Sequence, residues 1–178
     1  MHNLSDLNAR VAAVKLVLTD VDGVMTDGAI YITNEGEMKR FDIQDGLGIS
    51  ILRRSGIKVG WISKRPSLVT QRRAHELEVD FLSQERTGKV KAAEKILAEA
   101  GLTFDQVCFV GDDLVDLALL KRVRLAVAVD NAVPEVKDVA HYVTRASGGH
   151  GAVREIAEMI LKGQNKWEAV LQRHLSES

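Results

Sequence analysis

Two acidic clusters set the chemical possibilities of this sequence. Asp20-Val-Asp-Gly-Val-Met-Thr-Asp27 and Gly111-Asp-Asp-Leu-Val-Asp116 each follow a short apolar run. Hard carboxylate oxygens gathered in this way suit Mg²⁺, which takes carboxylates, water and substrate phosphate as ligands. One cluster alone reads equally well as solvated turn aspartates or as a helix cap. Two clusters brought to neighbouring strand ends would repel each other unless a cation lay between them. Positive and hydroxyl groups accompany them: Ser63-Lys-Arg65 follows another apolar run, and Lys89 opens a helical pattern after Thr87-Gly88. Phosphoryl transfer needs a nucleophile, a metal on the phosphoryl oxygens and donors for the spreading charge. Singly, Ser63 is a turn residue and Lys89 a solvated lysine. The order acid, hydroxyl, lysine, acid makes them a candidate site.

The elements that would position these residues alternate in type. Apolar runs at 14–19, 58–63, 106–110 and 125–129 read as buried strands, with shorter pieces at 79–82 and 141–143. Helical spacing appears at 46–55, 66–77, 89–100 and 153–161, with Pro66 suited to a first turn and Gly101 to a stop. This alternation predicts a three-layer, Rossmann-like α/β fold with a parallel sheet covered on both faces. Ligands in such sheets bind beyond the carboxyl ends of the strands, where both acidic clusters fall. Residues 29–32 and 38–41 flank Thr33-Asn-Glu-Gly36 as a projecting β-hairpin, spanning about 29–43, whose apolar side chains suggest an assembly surface. No cap domain, repeat or linker is visible, so a single domain over 1–178 is expected. The tail from 162 reads as an amphipathic helix with Trp167, Val170 and Leu171 on one face.

Composition narrows the function classes. The 178 residues carry 24 Lys+Arg against 25 Asp+Glu, a net charge of −1, which argues against a broad nucleic-acid or anionic-membrane footprint. The single cysteine, Cys108, lies in an apolar run and reads as a buried, inert thiol. Without a basic, apolar leader or a span of roughly twenty apolar residues, a cytoplasmic protein is expected. His2, His75, His141 and His174 show no metal-ligand grouping.

The four chemical pieces, in this order, resemble the four motifs of the haloacid dehalogenase superfamily of phosphatases. The resemblance implies that Asp20 attacks phosphorus and becomes an aspartyl-phosphate. It implies that Asp22 protonates the leaving alcohol, activates water and touches Mg²⁺ through its backbone carbonyl. Ser63 and Lys89 would hold the phosphoryl group, and Asp112 would bind Mg²⁺ with Asp113 or Asp116 in support. The gap after the first motif holds only the hairpin and a helix and the gap after the second is too short for any domain, which resembles the capless subgroup acting on sugar-acid phosphates. Phe41-Asp-Ile-Gln-Asp-Gly46 and Gly148-Gly-His-Gly-Ala-Val-Arg-Glu155 resemble that subgroup as well.

That subgroup implies a homotetramer joined through the hairpins, with neighbours completing one another's sites, and a role in lipopolysaccharide synthesis. Arg65, Arg73 and Arg154 are the candidates for the substrate carboxylate, because a guanidinium fork can bind both its oxygens. Arg65 favours an eight-carbon sugar acid over the nine-carbon alternative, whose branch carries glutamate there. The sequence departs from the usual pattern at Lys64, where glycine is expected, and at His150, where arginine is frequent. A catalytically silent assembly module would dispense with Asp20 or Asp22, and both are present.

Overall fold

The computed structural model describes residues 4–86 and 88–176. Thr87, expected to lead into a helix, and His2 lie outside the described residues. The chain runs α1 (Leu4–Ala13), β1 (Leu16–Thr19), β2 (Tyr31–Thr33), β3 (Gly36–Met38), α2 (Ile43–Arg54), β4 (Lys58–Ile62), α3 (Leu68–Glu76), β5 (Phe81–Ser83) and α4 (Lys89–Ala100). It continues through β6 (Val107–Gly111), α5 (Leu117–Leu120), β7 (Leu125–Ala128), α6 (Pro134–Val139), β8 (Tyr142–Val143), α7 (Ala152–Gly163) and α8 (Trp167–Ser176).

Six strands form one parallel sheet in the order β5-β4-β1-β6-β7-β8. The central strands are apolar along their whole length because both faces are covered: β1, β6 and β7 are buried at every residue. Helices α1, α2 and α7 pack together in one layer, and α4, α5 and α6 in another. The α/β architecture expected from the alternation is therefore present. The chain builds outward from β1 to β4 and β5, then returns to place β6 on the other side of β1. That reversal opens a crevice at the carboxyl ends of β1 and β6. Thr19 pairs with Val110 there, so the residues that follow both strands emerge side by side.

Local differences from the expected elements have physical causes. The helix expected from residue 46 starts at Ile43, because Asp42 caps it by accepting from Gln44 N–H at 2.7 Å. Pro66 precedes α3 rather than entering its first turn; Ser67 is the cap. In the hairpin, Thr33 pairs with Gly36, so the turn narrows to Asn34-Glu35. Residues 39–41 leave the strand, and Phe41 instead bridges to Thr26 and stacks on Trp61 with ring centroids 6.1 Å apart. Three helices, α1, α5 and α6, are not anticipated by the sequence reading, although Leu7 and Val11 carry a spacing that marks α1's inner side. In α8, Val170 is buried and Leu171, expected beside it, is exposed. Among the described residues, no helix is long and apolar enough to cross a membrane.

Candidate active site

Asp20 is the first residue past β1, and its own N–H extends the ladder by donating to Val110 O at 2.9 Å. Gly23 turns the chain immediately afterwards with φ +97, a conformation that favours glycine. A Cβ at Gly23 would also stand 2.0 Å from Asp112 Oδ2, so the missing side chain lets the second acidic loop close against the first. Asn131 ties a third loop in: its Nδ2 donates to Gly23 O at 3.2 Å, and its Oδ1 accepts from Gly148 N–H at 2.6 Å. Gly149 N–H donates to Val24 O at 2.9 Å, and a Cβ at Gly148 would overlap the Gly23 carbonyl at 1.8 Å.

Carboxylate oxygens of Asp20, Asp112 and Asp116 lie within 4.8 Å of one another. Lys89 enters this group from the first turn of α4, with Nζ 2.8 Å from Asp20 Oδ1 and 2.6 Å from Asp116 Oδ1. The second oxygen of Asp116 accepts from Asp112 N–H at 3.0 Å and Asp113 N–H at 3.3 Å, so it shapes the loop that presents Asp112. Asp113 itself is exposed, and its carboxylate accepts from Leu114 N–H at 2.7 Å as a cap. Sequence order alone left Asp113 and Asp116 interchangeable; the structure groups Asp116 with Asp20 and Asp112.

One lysine among three carboxylates, those of Asp20 and Asp116 buried and that of Asp112 half-buried, does not balance their charge. Burial, reinforced by Asp116 and opposed by Lys89, raises the Asp20 carboxyl to about 6. Burial and the neighbouring Asp20 and Asp116 raise Asp112 to about 8. For Lys89, burial works against the charge, but the two aspartates more than offset it and hold the ammonium above the ordinary lysine range. Asp112 Oδ1 is buried with no hydrogen-bond partner. An all-oxygen set with an orphaned carboxylate oxygen fits a hard divalent cation such as Mg²⁺.

Asp22 does not join this group. Its carboxylate turns toward the hairpin, where Lys39 Nζ lies 2.6 Å from Oδ1. Ser63, buried after β4, accepts from Arg65 N–H at 3.0 Å, which fixes the turn that carries Lys64 and Arg65. Asp20, Asp22, Ser63, Lys64, Arg65, Lys89 and Val115 line one cavity of about 240 Å³. The other two arginine candidates lie elsewhere in the chain. Arg73 packs its guanidinium against Gly46 and pairs with Glu76 at 2.8 Å, while Arg154 pairs with Glu158 at 2.9 Å and lies over the Trp167 ring. His150 sits beside Arg40, its Nε2 3.3 Å from the guanidinium. Lys39 and Glu37 were not singled out from the sequence. Glu37 lies in β3 and Lys39 just past its end, and nothing in the local sequence pattern marks either as facing the cavity. Glu37 pairs with Arg65 at 2.6 Å.

Residues 63–170 match the haloacid dehalogenase-like hydrolases. The chain is 43% identical over 164 residues to the 3-deoxy-D-manno-octulosonate 8-phosphate phosphatase KdsC of Yersinia pestis, covering 92% of this chain and 88% of that protein. A probable YrbI family phosphatase from Pseudomonas syringae superposes with a TM-score of 0.93 at 43% identity, covering 98% of this chain and 99% of the other. The 3-deoxy-D-manno-octulosonate 8-phosphate phosphatase of Moraxella catarrhalis, solved with magnesium, phosphate and KDO, superposes with a TM-score of 0.93 at 35% identity. That likeness covers 97% of this chain and 99% of the other.

Proposed function

Since the chain belongs to the haloacid dehalogenase-like hydrolases, and the relatives named above are phosphatases, we propose that it hydrolyses a sugar-acid phosphate through an aspartyl-phosphate on Asp20. The observation that carries this reading is the convergence of Asp20, Asp22, Ser63, Arg65 and Lys89 on one cavity at the switch point of the sheet.

Val21 N–H and Lys89 hold Asp20 Oδ1, so Oδ2 is the oxygen that attacks phosphorus. A bond forms from Oδ2 to phosphorus as the ester oxygen departs, and Asp22 gives that oxygen its proton. In the second step Asp22 takes a proton from water as the water oxygen attacks the phosphorus and Asp20 is released. Ser63 and Lys89 donate to the phosphoryl oxygens throughout. Asp20, Asp112 and the backbone carbonyl of Asp22 would hold Mg²⁺, with Asp116 orienting the Asp112 loop. Bound there, the ion supplies positive charge to the phosphoryl oxygens.

The substrate assigned by this reading is 3-deoxy-D-manno-octulosonate 8-phosphate, the ester named for the relatives. Among the cations lining the cavity, Lys64, Arg65 and Lys89, this reading assigns Arg65 to its carboxylate, because a guanidinium fork can meet both oxygens. The hairpin leaves Tyr31 53%, Ile32 82% and Met38 56% exposed, and a homotetramer joined there would cover them. In that assembly Arg73 is the residue offered to a neighbour's substrate, and Arg154 is a further candidate for the substrate carboxylate.

The test is phosphate release from 3-deoxy-D-manno-octulosonate 8-phosphate with and without Mg²⁺, in wild type and Asp20→Asn. Metal-dependent release that the variant abolishes supports both mechanism and substrate. Turnover of a nine-carbon ulosonate 9-phosphate in its place moves the substrate, and silence on all esters overturns the reading.

A further inference from the structure

Lys39 has no part in the mechanism above, yet its side chain is fully buried and its ammonium lies 2.6 Å from Asp22 Oδ1. Burying an ammonium is costly, and an apolar residue would anchor a hairpin at lower cost. The charge therefore calls for another use. Its surroundings are specific. Beside this ion pair, Nζ donates a hydrogen bond to Thr70 Oγ1 at 3.1 Å, and Thr70, in the first turn of α3, has no exposed surface. Thr70 N–H in turn donates to Ser67 Oγ at 3.2 Å, and Ser67 donates to Glu37, the residue that pairs with Arg65. One face of the hairpin thus reaches the substrate-facing Arg65 through Glu37 and Asp22 through Lys39.

The carboxylate of Asp22 is divided by this contact. Oδ1 is buried, while the side chain as a whole keeps 23% of its surface in the cavity mouth. Oδ2 is left as the oxygen that the leaving group can meet. Without Lys39, nothing among the contacts described fixes which oxygen faces the cavity.

We propose that Lys39 is a positioning residue for the departure of the alcohol, an inference that rests on the phosphatase reading above. It holds Oδ1 of Asp22 so that Oδ2 passes its proton to the ester oxygen as the bond from that oxygen to phosphorus breaks and the bond from Asp20 forms. A sugar alkoxide is a poor leaving group and needs that proton in the transition state; a nitrophenolate leaves without it.

Single-turnover release of the leaving group isolates this step. For Lys39→Met, release of the sugar from its 8-phosphate should slow by about 10- to 100-fold, while release of p-nitrophenolate from its phosphate should slow by less than about threefold. Lys39→Arg, which keeps the charge, should recover part of the loss on the sugar ester alone. Asp22→Asn, run in parallel, should show the same asymmetry. Equal slowing of both esters by Lys39→Met makes Lys39 a hairpin anchor only and overturns the proposal, as does no slowing of either. If Asp22→Asn itself slows both alike, the assignment of Asp22 as the acid fails and Lys39 falls with it. Asymmetry in Asp22→Asn without asymmetry in Lys39→Met removes Lys39 alone. A melting curve for each variant separates lost folding from lost positioning.

Discussion

Lys89 Nζ lies 2.6 Å from Asp116 Oδ1, and the two side chains are 2% and 0% exposed. The same ammonium meets Asp20, so it is the cation on which two carboxylates depend. Replacing it with methionine leaves a buried acidic group without its counter-charge, which costs about 3–5 kcal/mol when one partner of a buried pair is removed. Lys89→Met should therefore unfold at markedly lower urea concentration in the absence of metal. Millimolar Mg²⁺ should restore more stability to the variant than it adds to wild type, and the comparison of the four unfolding curves checks this.

The same charge imbalance sets a pH dependence. Asp20 and Asp112 titrate from an ordinary 3.8 up to about 6 and about 8 in the fold. Carboxyls raised in the folded state stabilise it while protonated, and that contribution is lost as pH rises through the folded values. The metal-free protein should thus lose melting temperature between about pH 4 and pH 8 from these groups, most steeply below about pH 6, and saturating Mg²⁺ should flatten the slope. Calorimetric Mg²⁺ titrations should show affinity increasing over the same window, with protons released on binding.

Gly23→Ala tests how tightly the two acidic loops must close. The new methyl meets Asp112 Oδ2 and sits on a backbone with φ +97. Strain of this kind costs about 1–3 kcal/mol. Displacing Asp112 should weaken Mg²⁺ affinity by about 10- to 100-fold, as disturbing a ligand's supports does elsewhere. A variant with wild-type Mg²⁺ affinity would show that the loops tolerate separation.

Glu155 gives a pH effect of opposite sign, away from the reaction cavity. Burial works against its charge, but hydrogen bonds from Tyr142 Oη at 2.6 Å and from the N–H groups of Arg145 and Ala146 outweigh it and hold its carboxyl below the ordinary glutamate range. A depressed carboxylate stabilises the fold above its unfolded value of 4.5 and loses that contribution as pH falls through the lower folded value. Glu155→Gln should cost about 1 kcal/mol near neutrality and flatten the acid limb of a stability-versus-pH curve below about pH 5.

The legible part of this molecule was its central sheet and what stands at the strand ends. Runs such as residues 107–111 are apolar throughout because helices cover both faces, and the polar residue that ends each run is the one the crevice receives. Lys89 and Asp112 could be placed in that way without coordinates. The choice between Asp113 and Asp116 could not, because both are short carboxylates beside one strand and only the three-residue turn decides which one faces inward. Lys39 was invisible for a related reason. In sequence it lies among exposed hairpin residues, and its burial comes from α3 and the Asp22 loop closing over it. Arg73 and Arg154 show the converse, since helical arginines offer no sequence sign of whether they face a ligand or a glutamate one turn away.

The loop after β1 is held by residues 131, 148 and 149, more than a hundred positions later in the chain. Synthesis from the amino end therefore delivers the nucleophile early and its scaffold late. A nascent chain lacking the segment around Gly148 would carry Asp20 on an untethered turn, so catalytic competence should switch on only when nearly the whole chain has left the ribosome. Partial translation products would then be unable to consume substrate, and a truncation that keeps Asp20, Asp22, Lys89, Asp112 and Asp116 but ends before Asn131 would still be inactive.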